Sequence, residues 1–301
     1  MLTPAGPAAA ISNEVAWVLF AGAMLIFLIM LALTCYALTG RRRVRASTWL
    51  IGGGFAFPVA ILTPLLVYGV LRGAHLLERA PESALVIQVT AHSWWWEIVY
   101  PGYGGGEPII AANEIRIPSG RPIRLAVTST DVIHSLWVPQ LAGKIDLVPG
   151  RINHLTFAAD RHGSFRGQCA EFCGEAHARM ALHVVVVPPD EFDGWLAAQR
   201  APAAAPVDAR ARHGRQLFEL HGCGQCHSVR GVSAGSSRAP DLTHVASRPW
   251  LAAGVLRNQP GAMLAWITSV QQLKPGAQMP SYRHLDGDAL DALAHYLEQL
   301  N

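Results

Sequence analysis

The segment Cys169-Ala-Glu-Phe-Cys173-Gly-Glu-Ala-His177-Ala-Arg-Met180 places two thiols, an imidazole and a thioether close together in the chain. Spacings of four, four and three residues let these side chains turn toward one point on a helical turn or a tight loop. Thiolate, imidazole and thioether together favour copper, because a thioether stabilises Cu(I) and adds little for zinc. The segment therefore predicts a copper site around which the rest of the chain is organised.

The presence of two thiols indicates a dinuclear site. A mononuclear blue-copper site needs a single Cys, two His and a weak Met. Two thiolates can instead bridge two coppers, and each copper then needs its own imidazole. His177 supplies one, and His134 in Asp131-Val-Ile-His134-Ser-Leu-Trp137 is the best candidate for the other. Spacing alone leaves two alternatives open, a disulfide between the two Cys and a zinc site, although zinc sites usually lack Met.

The composition sets the broad class of the protein. The chain has 301 residues, enough for two ordinary domains by length alone. It is 51% hydrophobic and 15% charged, whereas soluble proteins are about 25% charged. A net charge of +3 gives no argument for nucleic acid, and no RNA-binding pattern supports one. Of the five Cys, four lie in two metal motifs and Cys35 lies in an apolar run, so no pair remains for a structural disulfide.

Two uncharged runs, residues 15–39 and 46–71, predict a transmembrane hairpin. Each exceeds the roughly 20 residues that a helix needs to cross a bilayer. The connection Gly40-Arg-Arg-Arg-Val-Arg45 carries four arginines, which indicates the cytoplasmic side, so both ends of the hairpin face outward. Residues 1–13 lack the basic segment of a signal peptide.

The second run contains predicted helix breakers. Pro58, Pro64 and the glycines at 52–54 are expected to interrupt the helix. Such breaks are tolerated in a bilayer when neighbouring helices satisfy the freed backbone groups. We therefore expect this helix to pack against a larger membrane partner.

Residues 84–188 are rich in β-branched and aromatic residues separated by turn sequences such as Pro101-Gly-Tyr-Gly-Gly-Gly106. The predicted strands cover 84–91, 94–100, 115–117, 123–129, 152–158 and 181–187. Short strands with metal ligands on their loops predict a β-sandwich or a Greek-key barrel.

A second metal motif, Cys223-Gly-Gln-Cys226-His227, follows an Ala/Pro segment at 201–206 that predicts a semi-stiff tether. Cys-x-x-Cys-His is the attachment pattern of c-type haem, in which both thiols add to vinyl groups and the His binds iron. A short amphipathic helix is predicted at 191–200, before the tether, and helices at 209–221 and 286–300 are predicted on either side of the motif.

Met279, in Lys274-Pro-Gly-Ala-Gln-Met279-Pro280, is the predicted second axial ligand of the haem iron. Met263 is the rival, but it lies within a predicted helix beside Trp266, a position typical of packing. Methionine opposite histidine raises the haem potential, which suits an electron carrier.

The whole pattern resembles cytochrome c oxidase subunit II with a fused C-terminal cytochrome c domain, as in caa-type oxidases. Cys-x-Glu-x-Cys-Gly-x-x-His-x-x-Met with an upstream His-Ser is similar to the copper A signature of that family. The resemblance implies that two coppers are bound by His134, Cys169, Cys173, His177, Met180 and the backbone carbonyl of Glu171. It also implies magnesium at the Glu171 carboxylate.

The resemblance implies a multidomain fold: a two-helix transmembrane hairpin, an all-β cupredoxin-like copper domain and an all-α class I cytochrome c domain. The expected boundaries are an outer N-terminal segment at 1–14, the hairpin at 15–72, the copper domain at 73–200, an Ala/Pro linker at 201–208 and the haem domain at 209–301.

The aromatic run His92-Ser-Trp94-Trp95-Trp96 resembles the His-Gln-Trp-Tyr-Trp motif of subunit II. The first Trp of that motif lies over the copper site where cytochrome c docks, so the resemblance implies an electron-transfer role for Trp94. Trp95 in place of Tyr is a departure. The alternative is that the run packs in the core of a strand with alternating faces.

The implied function is electron transfer from haem c through copper A to haem a of a catalytic subunit, which reduces dioxygen and pumps protons. Implied partners are subunits I and III and a donor such as a quinol-cytochrome c reductase or a cytochrome c. The implied location is the bacterial inner membrane, with both metal domains on the periplasmic face. One departure is that no Asp or Glu lies between Glu14 and Glu78, where many subunits II carry a Glu at the mouth of a proton channel.

Two alternatives stay open. The same centres could serve a nitric oxide reductase, since copper A modules recur there. A membrane-tethered copper chaperone or redox sensor is the other, although a chaperone would not need two bridging thiolates beside a covalent haem.

Overall fold

The computed structural model describes residues 3–40, 45–77, 80–102, 106–236 and 238–301. Two long helices precede a pair of packed β-sheets, and a small, mainly helical domain follows. Residues 41–44 of the arginine-rich connection and 103–105 of the glycine-rich turn lie outside the described residues. The cytoplasmic assignment of that connection therefore stays a prediction.

The two helices are Pro7–Thr39 and Ala46–Ala74, and both are long and apolar enough to cross a membrane. The predicted interruption of the second helix was wrong. Its segment Trp49–Ala56, which contains the three glycines, winds as a π-helix, and Phe57–Ala74 continues as an α-helix through Pro64. Pro58 lies where the π-helical segment passes into the α-helix.

The two membrane helices are tied together at the end that leads to the outer domains. Glu14 of the first helix forms an ion pair with Arg72 of the second. The hydroxyl of Tyr68 donates to the same carboxylate at 3.0 Å. The negative charge of Glu14 is thus paired with the positive charge of Arg72 on the neighbouring helix.

The chain before the first helix is attached to the β-sheets. The backbone N–H of Ala5 donates to the Gln140 carbonyl, and the Ala5 carbonyl accepts from Asp160, both at 2.8 Å. Gly6 lies so close to the Ala158 carbonyl that a Cβ would come within 2.1 Å of its oxygen. These contacts fix the β-domain to the start of the first membrane helix.

The described residues of the β-domain form ten strands: β1 (Leu85–His92), β2 (Trp95–Tyr100), β3 (Ile109–Ala112), β4 (Glu114–Pro118), β5 (Ile123–Ser129), β6 (His134–Trp137), β7 (Ile145–Leu147), β8 (Asn153–Phe157), β9 (Gly163–Cys169) and β10 (Ala181–Val187). One sheet has the order β3-β2-β1-β5-β8 and the other β4-β10-β9-β6-β7. Inward side chains of β1 alternate with outward ones and pack against the facing sheet, as in a β-sandwich.

Six of these strands were predicted, and β3, β6, β7 and β9 were not. Strand β9 escaped prediction because its sequence is polar, with buried and exposed residues alternating from Ser164 onward. Gly167 points inward, where a Cβ would lie 2.8 Å from Leu182 and 2.9 Å from Val138. Trp94 was placed in a strand but lies in the turn before β2.

The C-terminal domain is built from the helices Ala209–Leu220, Ala262–Thr268, Val270–Leu273 and Gly287–Leu297. Asp208 and Asp286 cap two of them, accepting from the backbone N–H three residues ahead. A short hairpin of β11 (Trp250–Leu251) and β12 (Leu256–Arg257), which was not predicted, projects from the helices. It lies against the β-domain.

The two terminal helices of this domain cross at Gly214, because only hydrogen fits there. A Cβ on Gly214 would lie 2.0 Å from the Ala292 carbonyl oxygen and 2.8 Å from Tyr296 Cβ. We expect Gly214→Ala to lower the free energy of unfolding of the haem domain by about 1–3 kcal/mol, measured by denaturant titration of the haem absorbance. Gly287→Ala is the control, since nothing lies within 4 Å of its Cβ; equal effects of the two would refute the crossing argument.

Candidate metal centres

The two thiols of the predicted copper site lie at the end of β9 and in the loop that follows it. Both are free cysteines, and Cys169 Sγ lies 3.7 Å from Cys173 Sγ. His134 in β6 brings its Nδ1 to 3.9 Å from Cys169 Sγ. These three ligand atoms all lie within 4.8 Å of one another. Cys169 and Cys173 are therefore not joined by a disulfide in the structure.

The other predicted ligands approach the same two sulfurs. His177 Nδ1 lies 3.5 Å from Cys173 Sγ, and Met180 Sδ lies 4.0 Å from it. The Glu171 carbonyl oxygen lies 3.2 Å from Cys169 Sγ, while the Glu171 side chain is exposed. Each sulfur thus has its own imidazole nearby, the arrangement that a pair of metal ions needs. The donor set of two thiols, two imidazoles and a thioether fits copper.

The two thiols shift each other's pKa because they lie in contact. A hydrogen bond from Cys173 lowers the pKa of Cys169, with His134 adding to the effect. The hydrogen bond to Cys169, together with burial, raises the pKa of Cys173. The two shifts run in opposite directions, because each sulfur interacts with the other. A metal that binds both sulfurs displaces their protons.

Asp131 orients His134, a role that the sequence analysis missed. The His134 Nε2–H donates to Asp131 Oδ1 at 2.8 Å, which leaves Nδ1 free to face the sulfurs. Burial alone would raise the pKa of Asp131, but hydrogen bonds from His134, Ser93 and Val132 lower it. A carboxylate on the far nitrogen of a metal-binding imidazole is a common arrangement. The sequence feature that could have predicted this role is Asp131 itself, three residues before His134.

His227 and Met279, the two predicted axial ligands, line a cavity of about 520 Å³ between the C-terminal domain and the β-domain, within the roughly 300–1,000 Å³ typical of ligand pockets. His227 is at its wall and donates its Nδ1–H to the Pro240 carbonyl at 2.7 Å, which leaves Nε2 free. Cys223 and Cys226 are free, and the 3₁₀ turn Cys223–Gln225 precedes His227. The residues fit a covalently attached haem.

Both candidate methionines lie at this cavity. Met279 is partly buried and belongs to the loop after Lys274, whereas Met263 is buried in the helix Ala262–Thr268. A loop residue can adjust toward an iron atom, while a helix residue is held by its turn. The choice of Met279 stays a prediction.

The three consecutive tryptophans occupy three different environments. Trp96 is fully buried and meets the His134 ring edge-on at 6.3 Å. Trp95 stacks on His92 at 4.3 Å. Trp94 donates its Nε1–H to the Cys173 carbonyl at 2.7 Å, and it also lines the haem cavity. The indole of Trp94 therefore touches the copper ligand loop and faces the predicted haem site.

Contacts between the two metal domains were also missed. Lys274 Nζ donates to the Trp94 carbonyl at 2.6 Å. The ring of His183 in β10 stacks on Trp250 of the hairpin at 4.9 Å, with the planes 2° apart. No local pattern marks such pairs, because the partners are far apart in the sequence.

Comparison with known proteins identifies both metal domains. Residues 107–187 match the family described as cytochrome c oxidase subunit II, periplasmic domain. Residues 211–301 match the family described as cytochrome c. Together with the two candidate membrane helices, these matches confirm the predicted fold class, a hairpin followed by a cupredoxin-like domain and a cytochrome c domain.

Relatives extend the match over most of the chain. Cytochrome c oxidase subunit 2 of Alkalihalophilus pseudofirmus is 34% identical over 258 residues, covering 84% of this chain and 72% of that protein. The protein of the same name from Bacillus subtilis is 31% identical over 271 residues, with coverages of 84% and 73%. The crystal structure of the periplasmic domain of subunit II of cytochrome oxidase from Bradyrhizobium japonicum is 34% identical and covers 40% of this chain and 97% of its own, with a TM-score of 0.38.

These matches span the copper loop, the haem motif and the order of the two domains. They imply copper A and haem c as the cofactors of a membrane-anchored oxidoreductase that works with other oxidase subunits. The chain belongs to the cytochrome c oxidase subunit II family, as a subunit II of a haem-copper oxidase that carries a cytochrome c domain.

Proposed function

We propose that electrons enter a haem-copper terminal oxidase through this chain, from a covalent haem c to a dinuclear copper A centre and on to haem a of the catalytic subunit. There, dioxygen reduction to water is coupled to proton pumping. One observation carries the proposal: two free sulfurs lie 3.7 Å apart with an imidazole nitrogen beside each. The native complex should consume dioxygen when supplied with reductant. Consumption of nitric oxide instead would indicate the reductase alternative.

We assign the copper ligands as His134, Cys169, Cys173, His177, Met180 and the Glu171 carbonyl, and the haem ligands as Cys223, Cys226, His227 and Met279. With copper and haem held by these residues, the two centres would supply one-electron transfer, and the two Cys thiolates would help spread the charge change over the copper site. The Glu171 carboxylate, exposed in this chain, is the proposed magnesium ligand at the contact with the catalytic subunit.

The protein contributes rigid, dry surroundings to the copper ligands. Cys169, Cys173 and Met180 are buried, and His134 is fully buried between the sheets. Asp131 holds the His134 ring by one nitrogen, so that ring cannot turn when the charge of the site changes. Ligands that move little on electron transfer keep the energy of reorganisation low.

We propose subunits I and III as partners, and a quinol-cytochrome c reductase or a cytochrome c as donor, at the bacterial inner membrane with the metal domains on the periplasmic face.

The boundaries proposed are 1–14, 15–72, 73–200, 201–208 and 209–301. Arg230 of the haem domain donates to the Gln199 and Ala201 carbonyls, at the start of the linker, at 2.8 and 3.1 Å. These hydrogen bonds support a copper domain and a haem domain that pack together. No role in proton uptake is assigned to the hairpin.

Trp94 is the proposed route between the centres, because its indole joins the copper loop and borders the haem cavity. Trp94→Ala should slow haem-to-copper electron transfer by about tenfold or more without changing copper or haem content. Flash photolysis of the loaded complex gives the rate, and metal analysis gives the content.

Trp94→Phe is the matched variant, since it keeps an aromatic ring but loses the N–H that donates to Cys173. An intermediate rate is expected for it. Wild-type rates in the alanine variant would reduce Trp94 to a packing residue. The backbone carbonyl that accepts from Lys274 is present in all three proteins.

A further inference from the structure

A buried lysine joins the two metal domains at Trp94. The chain has two lysines among its 24 Lys and Arg residues. Lys144 is exposed, whereas Lys274 is 4% exposed. The Lys274 ammonium donates to the Trp94 carbonyl in the copper domain at 2.6 Å and to the Ala252 carbonyl in the haem domain at 3.1 Å. A compact nitrogen with several rotatable donors suits this position better than the planar fork of an arginine.

The lysine is not placed there for charge pairing. No ion pair joins Lys274 to a carboxylate within the described part of the chain. Burial lowers the pKa of Lys274 to about 7. A neutral amine still has two N–H groups for the two carbonyls, so both hydrogen bonds survive loss of the proton. Burying a cation that has no ion-pair partner is unfavourable, although the nearby Cys173 sulfur partly offsets the effect of burial on the pKa of Lys274.

The hairpin tip that receives Lys274 has an unusual backbone. Ala252, Ala253 and Gly254 have φ values of +55°, +60° and +81°, the left-handed region that alanine seldom adopts. This shape presents successive carbonyls to two partners: that of Ala252 to Lys274, and that of Ala253 to the Ala181 N–H at 2.9 Å. Ala181 directly follows the copper ligand Met180. Such conformations persist where the surroundings impose them.

The loop from Lys274 to Met279 also packs on the Trp94 ring. A Cβ on Gly276, whose φ is +78°, would lie 3.1 Å from Trp94 Cη2 and 2.7 Å from Glu175 Oε2. A Cβ on Gly174, in the copper loop, would lie 3.0 Å from Trp94 Cζ2. Glycine therefore lets both metal-binding loops approach the same indole. Lys274 opens the haem loop and holds it at this distance.

We propose that Lys274 is a positioning residue that clamps the haem domain onto Trp94 and so sets the separation of the two metal centres. This inference rests on the proposed function, because its consequence is a rate of transfer between those centres. Lys274 borders the haem cavity but is none of the proposed metal ligands; it acts through the backbone carbonyls of Trp94 and Ala252. Tunnelling rates fall steeply with distance, so a small displacement of the loop changes the rate strongly.

The test uses Lys274→Met in the full oxidase complex, with copper content, haem content and haem absorption spectrum matched to wild type. Methionine keeps a long flexible side chain but has no donor. We expect a longer or broader haem-to-copper distance distribution by pulsed EPR, faster deuterium exchange at the Ala181 amide, and transfer slowed by about tenfold or more. Lys144→Met is the matched control, for which no change is expected.

Lys274→Gln keeps a shorter donor that can reach one carbonyl, so its distance, exchange and transfer rate should lie between those of wild type and Lys274→Met. If the methionine variant does not accumulate in cells, the glutamine variant is measured in its place. Unchanged distance, exchange and transfer rate would overturn the clamp. If the wild-type haem fails to reduce copper, the proposed function falls instead. The distance and exchange measurements then still decide the role of Lys274.

Discussion

Replacing Cys173 with Ser should cut the copper content of the outer domain from two ions per chain to one or fewer. Cys173 Sγ has three of the proposed ligands around it, Cys169 Sγ, His177 Nδ1 and Met180 Sδ, at 3.7, 3.5 and 4.0 Å. A serine oxygen is a harder ligand that does not become anionic near neutral pH, so it cannot bridge two coppers. Copper affinity should fall by more than the roughly 10- to 100-fold that loss of an orienting partner costs.

Metal analysis and EPR check this expectation together. Wild type should show an unpaired electron shared by two copper nuclei, and the variant should lose that signature. Cys35→Ser is the control, because Cys35 is exposed on the first membrane helix, away from the site. Two coppers with a shared electron in the Cys173 variant, or zinc in the wild type, would reject the dinuclear assignment.

Replacing Met279 with Ala should lower the haem potential by on the order of 0.1 V or more, within the roughly 0.8 V that axial ligands span. Thioether ligation opposite His227 favours ferrous iron, and its loss removes that preference. The vacated position should also bind added ligands such as imidazole or cyanide. Redox titration and ligand-difference spectra measure the two effects.

Met263→Leu separates the two candidate ligands. Leucine preserves most of the buried volume of Met263 in its helix but has no sulfur. The haem potential should therefore stay close to that of wild type. A normal titration in Met279→Ala, combined with a lowered potential in Met263→Leu, would make Met263 the axial ligand.

Most of the candidate site could be predicted because its donors are close together in the sequence. Cys169, Cys173, His177 and Met180 lie on one short loop, and that loop brings their donor atoms together. The distant partner, His134, was named as the best candidate for the second imidazole, in a stretch similar to the copper A signature. Metal-binding side chains that lie a few residues apart can be recognised from the sequence without knowledge of the fold.

Other features had no local signal. Strand β9 was missed because its inward positions include Gly167, which carries no apolar side chain to reveal the pattern. The second membrane helix was expected to break at its prolines and glycines, but the glycines wind as a π-helical segment and the α-helix that follows continues through Pro64. Trp94 was assigned to a strand but lies in the turn before β2. From that turn its indole reaches the Cys173 carbonyl, which is the basis of its proposed role in electron transfer.

The amino-acid sequence by itself determined which metals and anchors this protein has: the soft donors of one loop, the Cys-x-x-Cys-His motif and two apolar runs. Each is a contiguous stretch that can be recognised before the fold is known, although the copper and haem sites also need His134 and Met279 from elsewhere in the chain. Only the tertiary structure decided how these parts face one another. Lys274 meets the Trp94 carbonyl from 180 positions away, and His183 of the β-domain stacks on Trp250 of the haem domain. Such contacts arise from the packing of one domain or element on another, which no short spacing encodes.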